Sequence, residues 1–450
     1  MRRISKVPDV KSVLNNCVED VCSDISKYAV NPDKDFVRKR KLPAQTLVQF
    51  QLNIEGNTLD AELYNNFPEK CERMTASAYE QQRSKLKAQI YKDLLYKFNA
   101  TLTNPRTMRG LRAYAIDGSD FSPPTNKMSQ WYISKSMKRK DGTDAKGTCL
   151  LHGNFLYDLM NKMYIDINET RNERDGAIEL IKSISDPTKS LVIMDKGYSG
   201  YNMIEHGNRY GGYYVIRFPI SNTIKELCDL PDKPCDVDIE IRVSTKSKQF
   251  CDIYKYRHIQ VRKGKKADDE YSENTDDTRW DFEEKCVVKF RACKFKINDT
   301  DSGKQVYEIL VTNLPREMFS LKEMKKVYWL RWGIETSFKL LKYPVGAIQF
   351  HSKRDDFILQ ELYAHIVMYN AISRAAAAIP VKQSDKGWAY AVNFKMVAHV
   401  FRVYFRHFNN EYYEQMYDDL TQYRHMLRSG QHNIRLLRPK GAIYFMYRVS

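Results

Sequence analysis

Six side chains suited to phosphate and divalent-cation chemistry stand in three short stretches of the sequence. Asp117 closes the apolar run of RAYAIDGSDF, and Asp195 closes that of SLVIMDKGYSG. Tyr328, Arg331, Glu335 and Lys342 share YWLRWGIETSFKLLK, at offsets 0, 3, 7 and 14. At about 100° per residue these four fall within an arc of about 60° on one helix. Val327, Leu330, Ile334, Phe338 and Leu341 form an apolar strip beside them, which puts Glu335 at the margin of a packed face. A carboxylate there needs a partner. An i,i+4 ion pair with Arg331 is one candidate, worth about 0.3 kcal/mol; a metal ion is the other. The ion pair gives no role to Tyr328 or Lys342, whereas phosphodiester cleavage gives a role to all four. Two Mg²⁺ ions about 4 Å apart stabilise the attacking and leaving oxygens of an in-line displacement. Asp117, Asp195 and Glu335, on separate elements, supply the hard oxygen ligands such ions prefer, and Mn²⁺ is able to substitute. Arg331 can fork a DNA phosphate, Lys342 can meet one as a point charge, and Tyr328 can offer its hydroxyl to a phosphate or to Glu335.

The two aspartates are expected at strand exits, where α/β sheets place chemistry. Each has a glycine within two residues, so the chain can turn and leave the carboxylate at the rim of the sheet. Asp-Gly is also a common turn pair, and Asp often only caps a helix.

The whole chain agrees with a polyanionic partner. Its 450 residues carry 73 Lys and Arg against 56 Asp and Glu, a formal net charge of +17. That excess favours nucleic acid over a membrane surface. The nine cysteines are scattered with no CxxC pair, and the histidines form no HExxH. A disulfide framework, a zinc ribbon and a zinc protease are thereby disfavoured. There is no P-loop pattern, and the opening MRRISKVPDVKS lacks the apolar core of a signal peptide. No apolar run is long enough to span a bilayer. The expectation is a soluble cytoplasmic protein associated with the nucleoid.

Periodicity divides the chain into five parts. Residues 1–105 read as a helical N-terminal DNA-binding region. It includes one long helix over TASAYEQQRSKLKAQIYKDLLYKF, with Ser77 and Glu80 spaced as a capping box and Arg83, Lys85 and Lys87 near its start. Residues 106–218 alternate strands and helices, as the first part of an α/β core with a mixed sheet. A basic stretch from Lys135 to Lys146 lies within it. Residues 219–304 hold DIEIRV, CDIYKYRHIQV and CVVKFRACKFKI, which alternate with period two as strands of a β-rich insertion; the charged segment 262–279 reads as a loop. Residues 305–408 resume the core and carry the stripe helix, capped by Ser320 and Glu323, followed by helices near 356–379 and 390–407. Residues 409–450 form an aromatic, basic tail.

The spacing Y-x2-R-x3-E-x6-K resembles the signature of bacterial insertion-sequence transposases of the DDE class, and Tyr328, Arg331, Glu335 and Lys342 fit every position. IDGSD at 116–120 resembles that group's first catalytic block, and VIMDKGYSGYNMIE at 192–205 its second. Arg217 in VIRF resembles a basic residue that follows the next strand. The likeness spans roughly residues 30–410. It implies an RNase H-like core with Asp117, Asp195 and Glu335 as catalytic metal ligands for two Mg²⁺ ions. It also implies DNA contacts from Tyr328, Arg331, Lys342 and Arg217. The implied reaction is cleavage at transposon ends, then attack of the freed 3′-hydroxyl on target DNA, with double-stranded terminal inverted repeats as partners and a homodimer holding two ends. Some relatives form a hairpin at the end with a base-flipping tryptophan. Trp280 is the only tryptophan of the insertion, and no motif aligns it. Two rivals share parts of this pattern: an RNase H-like nuclease or resolvase, and a transposase-derived DNA-binding protein without catalysis.

Overall fold

The alternation in RAYAIDGSDF divides its side chains between two cores. Ala113 and Ala115 join one buried cluster, and Tyr114 and Ile116 join the other. Successive strand residues face opposite sides, so a strand apolar at every position is covered on both faces. The computed structural model describes residues 9–38, 41–134, 147–220, 224–261, 279–298, 305–379, 389–407 and 413–427. It places this strand in the middle of a mixed sheet. The strands are β1 (Arg112–Phe121), β2 (Leu151–Asp158), β3 (Met163–Asn168), β4 (Ser190–Met194), β5 (Tyr213–Phe218), β6 (Cys235–Ser244), β7 (Arg257–His258), β8 (Lys285–Asn298) and β9 (Gln305–Thr312). Their spatial order is β3-β2-β1-β4-β5-β9-β8-β6-β7.

The first five form the RNase H-like core. β3, β2 and β1 are antiparallel neighbours, while β1, β4 and β5 run parallel. The parallel pairs need crossovers. Helices α6 (Glu173–Lys182) and α7 (Tyr201–Arg209) supply them, burying Ile178, Ile181, Met203 and Ile204 on one face of the sheet.

The other face is covered from both ends of the chain. The N-terminal region folds as α1 (Val10–Cys22), α2 (Ala44–Asn53), α3 (Leu59–Asn66), α4 (Ala76–Arg83) and α5 (Gln89–Ala100). After the short α8 (Lys225–Cys228) and α9 (Lys248–Tyr254) come α10 (Leu321–Trp329), α11 (Trp332–Lys342), α12 (Asp355–Ala378), α13 (Phe394–His407) and α14 (Tyr413–Gln422). Most of α12 is buried, and its apolar residues share a cluster with those of α1, α2 and α5.

Several expectations are corrected. The helix expected over residues 75–98 is two helices. Its cap is Thr75, whose hydroxyl accepts from the Ala78 amide at 3.2 Å, not Ser77. The chain between α4 and α5 leaves the helix so that Leu86 can bridge to Ala29. Arg83 is fully buried against α12 and is therefore lost to any DNA-reading surface. CDIYKYRHIQV opens in α9, which is capped by Ser247 and ended by Lys255 in the left-handed region (φ 57°), and only Arg257–His258 is extended. A strand, Ala389–Val392, precedes α13 and pairs with Arg424–Leu427. The strands of 219–304 do not stack as a separate sheet. β9 pairs antiparallel with β5, and β8 and β6 follow, so the insertion widens the core sheet. The basic stretch 135–146, the charged segment 262–278 and the tail from 428 onward lie outside the described residues.

Candidate active site

Asp117 and Asp195 are brought together by strand register. Parallel pairing of β1 with β4 runs from Arg112↔Ser190 to Ala115↔Ile193, an offset of 78 residues. The same offset carries Asp117 onto Asp195. By alternation both follow Ala115 and Ile193 toward the face covered by α11. β4 ends at Met194, so Asp195 stands at a strand exit as expected. Its Oδ1 accepts from the Gly197 amide at 2.6 Å and caps a 3₁₀ turn over Lys196–Tyr198.

Asp117 differs from expectation. β1 does not end there but continues to Phe121, because antiparallel pairing with β2 outlasts pairing with β4. Gly118 makes no turn. It permits close packing, since a Cβ on it would stand 2.7 Å from His152 Cε1 and 2.8 Å from Glu173 Oε1.

The stripe of Tyr328, Arg331, Glu335 and Lys342 is not carried by one helix. The predicted capping box of Ser320 and Glu323 is present and starts α10, but α10 ends at Trp329 and α11 begins at Trp332. Between them the amides of Arg331, Gly333 and Ile334 bond three residues back, at 3.0, 2.9 and 3.0 Å. This tightened turn eclipses residues i and i+3. Tyr328 and Arg331 are therefore stacked, and Arg331 Nε donates to the Tyr328 hydroxyl oxygen at 3.2 Å.

Arg331 is the hub of the site. Its side chain is only 4% exposed; Nη2 donates to Glu335 Oε1 at 2.7 Å, and Nη1 lies 3.7 Å from Asp117 Oδ2. Arg217 also lies close enough to Tyr328 to favour its ionised form, and it pairs with Glu308 at 2.9 Å. One polar chain thus runs Glu308–Arg217–Tyr328–Arg331, then to Glu335 and Asp117. Lys342 stands at the far end of α11. It donates to the Asp120 carbonyl at 2.7 Å, with its ammonium over the Phe121 ring.

Sequence reasoning missed a second group, on the opposite side of the strand ends. His152 Nδ1 is 2.7 Å from Asp120 Oδ1, and its Nε2 is 3.1 Å from Asn154 Oδ1 and 3.8 Å from Glu173 Oε1. Glu173 opens α6 behind its cap Asn172, and Arg174 Nε donates to the Gly197 carbonyl at 2.9 Å, tying α6 to the Asp195 turn. The period-two alternation of β2 put His152 and Asn154 on one face; nothing local indicated that the start of α6 would meet them.

The family model of the transposase DDE domain matches residues 109–371, more than half of the chain and all three carboxylate stretches. The chain belongs to this transposase family. No curated protein matches it. Members of this DDE transposase family act on DNA by cleaving and rejoining phosphodiesters, and they use divalent metal ions. No helix among the described residues is long and apolar enough to cross a membrane.

The donor set suits such an ion. Burial, then the negative charge of Asp195, pushes the Asp117 carboxyl up to about 7; Arg331 opposes the rise and Glu335 adds to it. Like charges held this close call for a cation of higher charge than one guanidinium. Among the described residues no three such side chains are gathered as a metal cluster. The Arg331 guanidinium meets both Asp117 and Glu335.

A pH dependence follows. Unfolded, Asp117 titrates near 3.8; folded, near about 7. Between those values the folded chain holds a proton that the unfolded chain has released, so the metal-free protein loses stability from this group as pH rises from about 4 to about 7. A divalent cation binds the carboxylate, so Mg²⁺ should raise the melting temperature more at pH 8 than at pH 6. Equal gains at both values would show that Asp117 is not a ligand.

Proposed function

We propose that this transposase cleaves DNA at transposon ends and transfers the freed 3′-hydroxyl into target DNA, using Asp117, Asp195 and Glu335 as ligands of two Mg²⁺ ions. The observation that supports this reading most is that Asp195 stands just past the end of β4, at the same 78-residue offset that pairs β4 with β1, with Glu335 linked to Asp117 through Arg331. When bound, the ions supply the positive charge that stabilises the attacking and leaving oxygens. The protein supplies the rest. In this reading β1 and the turn after β4 carry two of the ligands and α11 the third, so the backbone that bears them is ordered before a cation binds. Arg331 pairs with both Asp117 and Glu335 in the metal-free chain. With those carboxylates given to cations, its fork would be available to a DNA phosphate, and Arg217 and Tyr328 would keep its stem in place. Lys342, at the end of β1, extends the positive margin along the DNA backbone. Two ends must be held together for transfer, so the working form is a homodimer on terminal inverted repeats.

The test is a joining assay. Purified chain, duplexes bearing the element's own terminal repeats, supercoiled plasmid and Mg²⁺ should yield plasmid joined to the duplex 3′ end. Cleavage without joining would favour the nuclease or resolvase reading, and binding without cleavage a DNA-binding protein.

A further inference from the structure

The outer face of α10 and α11 carries a pattern that the mechanism above does not use. Lys322, Lys325, Lys326 and Trp329 are all exposed and fall within an arc of about 100° on α10. Trp332, Lys339 and Tyr343 continue the exposed row along α11 to its C-cap. Trp329, Trp332 and Tyr343 are 67%, 42% and 65% exposed. The ring centres of Trp329 and Trp332 stand 6.4 Å apart, and the Arg331 guanidinium lies 5.0 Å from that of Trp332. Single exposed apolar side chains are ordinary, but tryptophan is on average highly buried, and neighbouring bare rings mark a contact surface. α10 and α11 hold only two carboxylates, Glu323 and Glu335, and these pair with Arg109 and Arg331. Lys322, Lys325, Lys326 and Lys339 form no ion pair among the described residues.

We propose that this face binds unpaired nucleotides of the DNA strand that leaves the candidate active site, with the Trp329 indole stacking on a base and Lys322, Lys325 and Lys326 meeting phosphates. The inference rests on the reading of that site as the place of cleavage. Trp329 precedes Glu335 by six residues, about 9 Å along a helix at 1.5 Å per residue, which is about three nucleotides at 3.4 Å each. Inside a duplex the faces of a base are covered by its neighbours, so an indole finds an open face only where the strand is unpaired. Every base has such a face, so the contact carries no sequence preference. A protein partner fits the row less well, because lysine is depleted at interfaces between proteins.

The test measures fluorescence anisotropy of a labelled oligo-dT and of a blunt duplex of the same length, over a series of salt concentrations and in chelator so that nothing is cut. Full-length wild type is compared with Trp329→Ala, Trp329→Phe and the triple variant Lys322→Gln/Lys325→Gln/Lys326→Gln. Trp329→Ala should weaken oligo-dT binding about tenfold and duplex binding much less, with the salt slope unchanged. Trp329→Phe keeps a ring and should recover most of the loss. The triple variant should reduce the salt slope for oligo-dT by about 2. Trp329→Ala that binds oligo-dT as wild type does, or that loses duplex binding equally, would overturn the inference. So would Trp329→Phe that binds no better than Trp329→Ala, since stacking needs only a ring. Because no cleavage is read, these outcomes leave the joining assay untouched, and a chain that fails to join DNA is still tested here for its binding face.

Discussion

Alanine at Asp117, Asp195 or Glu335 is expected to lower metal-dependent cleavage by about a thousandfold or more, while binding of terminal-repeat DNA stays within a few-fold of wild type. The size follows from the role: a metal ion contributes several kcal/mol of charge stabilisation, and each 1.36 kcal/mol is tenfold in rate. The three substitutions should not add, because the ligands act as one unit. Folding should tolerate them. Asp117 and Glu335 are 22% and 29% exposed at the side chain. Asp117→Ala removes a like charge from Asp195 and should leave metal-free stability unchanged or improved. The measurement is cleavage of a labelled end duplex with Mg²⁺, alongside a gel-shift titration. Cleavage that survives the triple substitution would end the assignment.

The second large effect concerns stability. Arg83→Ala or Glu361→Ala is expected to cost about 3–5 kcal/mol, because each leaves its partner charged and buried. The pair lies 3.0 Å apart, with side chains 1% and 0% exposed. Arg83 also donates to the Phe357 carbonyl at 2.9 Å and to Gln360 at 3.3 Å, which joins α4 to α12. Glu361 accepts the amide and Nδ1 of His351 at 2.9 and 3.2 Å. Burial alone would raise the Glu361 carboxyl, but His351 and Arg83 hold it down at about 2. A depressed carboxylate stabilises at neutral pH, and that contribution fades only as pH falls toward about 2. Urea unfolding measures the cost, and the double variant Arg83→Met/Glu361→Leu should lose much less than the two single losses together. A single-variant loss below about 1 kcal/mol would mean that water reaches the pair.

These two groups differ in how far they could be read in advance. Asp117 and Asp195 were legible because a strand has a period of two and apolar runs end abruptly at them. Their neighbouring register was not, since pairing between strands 78 residues apart is set by how the sheet closes. Arg83 shows the reverse. Its place in a basic stretch suggested solvent and DNA; only the docking of α4 on α12 buried it.

What the chain determines locally is which residues can lie on one face: the alternation of β1 and β4, the Ser320 cap, and the shared side of Tyr328, Arg331 and Glu335. Tertiary structure alone decided three further things. β9 pairs with β5, whose outer edge offers unsatisfied amides and carbonyls, and the insertion strands β8 and β6 follow it. The stripe breaks at Leu330–Arg331, where bonds to i−3 replace bonds to i−4, a difference of one carbonyl that side-chain periodicity does not record. Arg331 turns inward to two carboxylates that approach it from different sides. Local backbone geometry sets the direction in which a charge points, but its partner is chosen by which surfaces are pressed together, and those come from residues far apart along the chain.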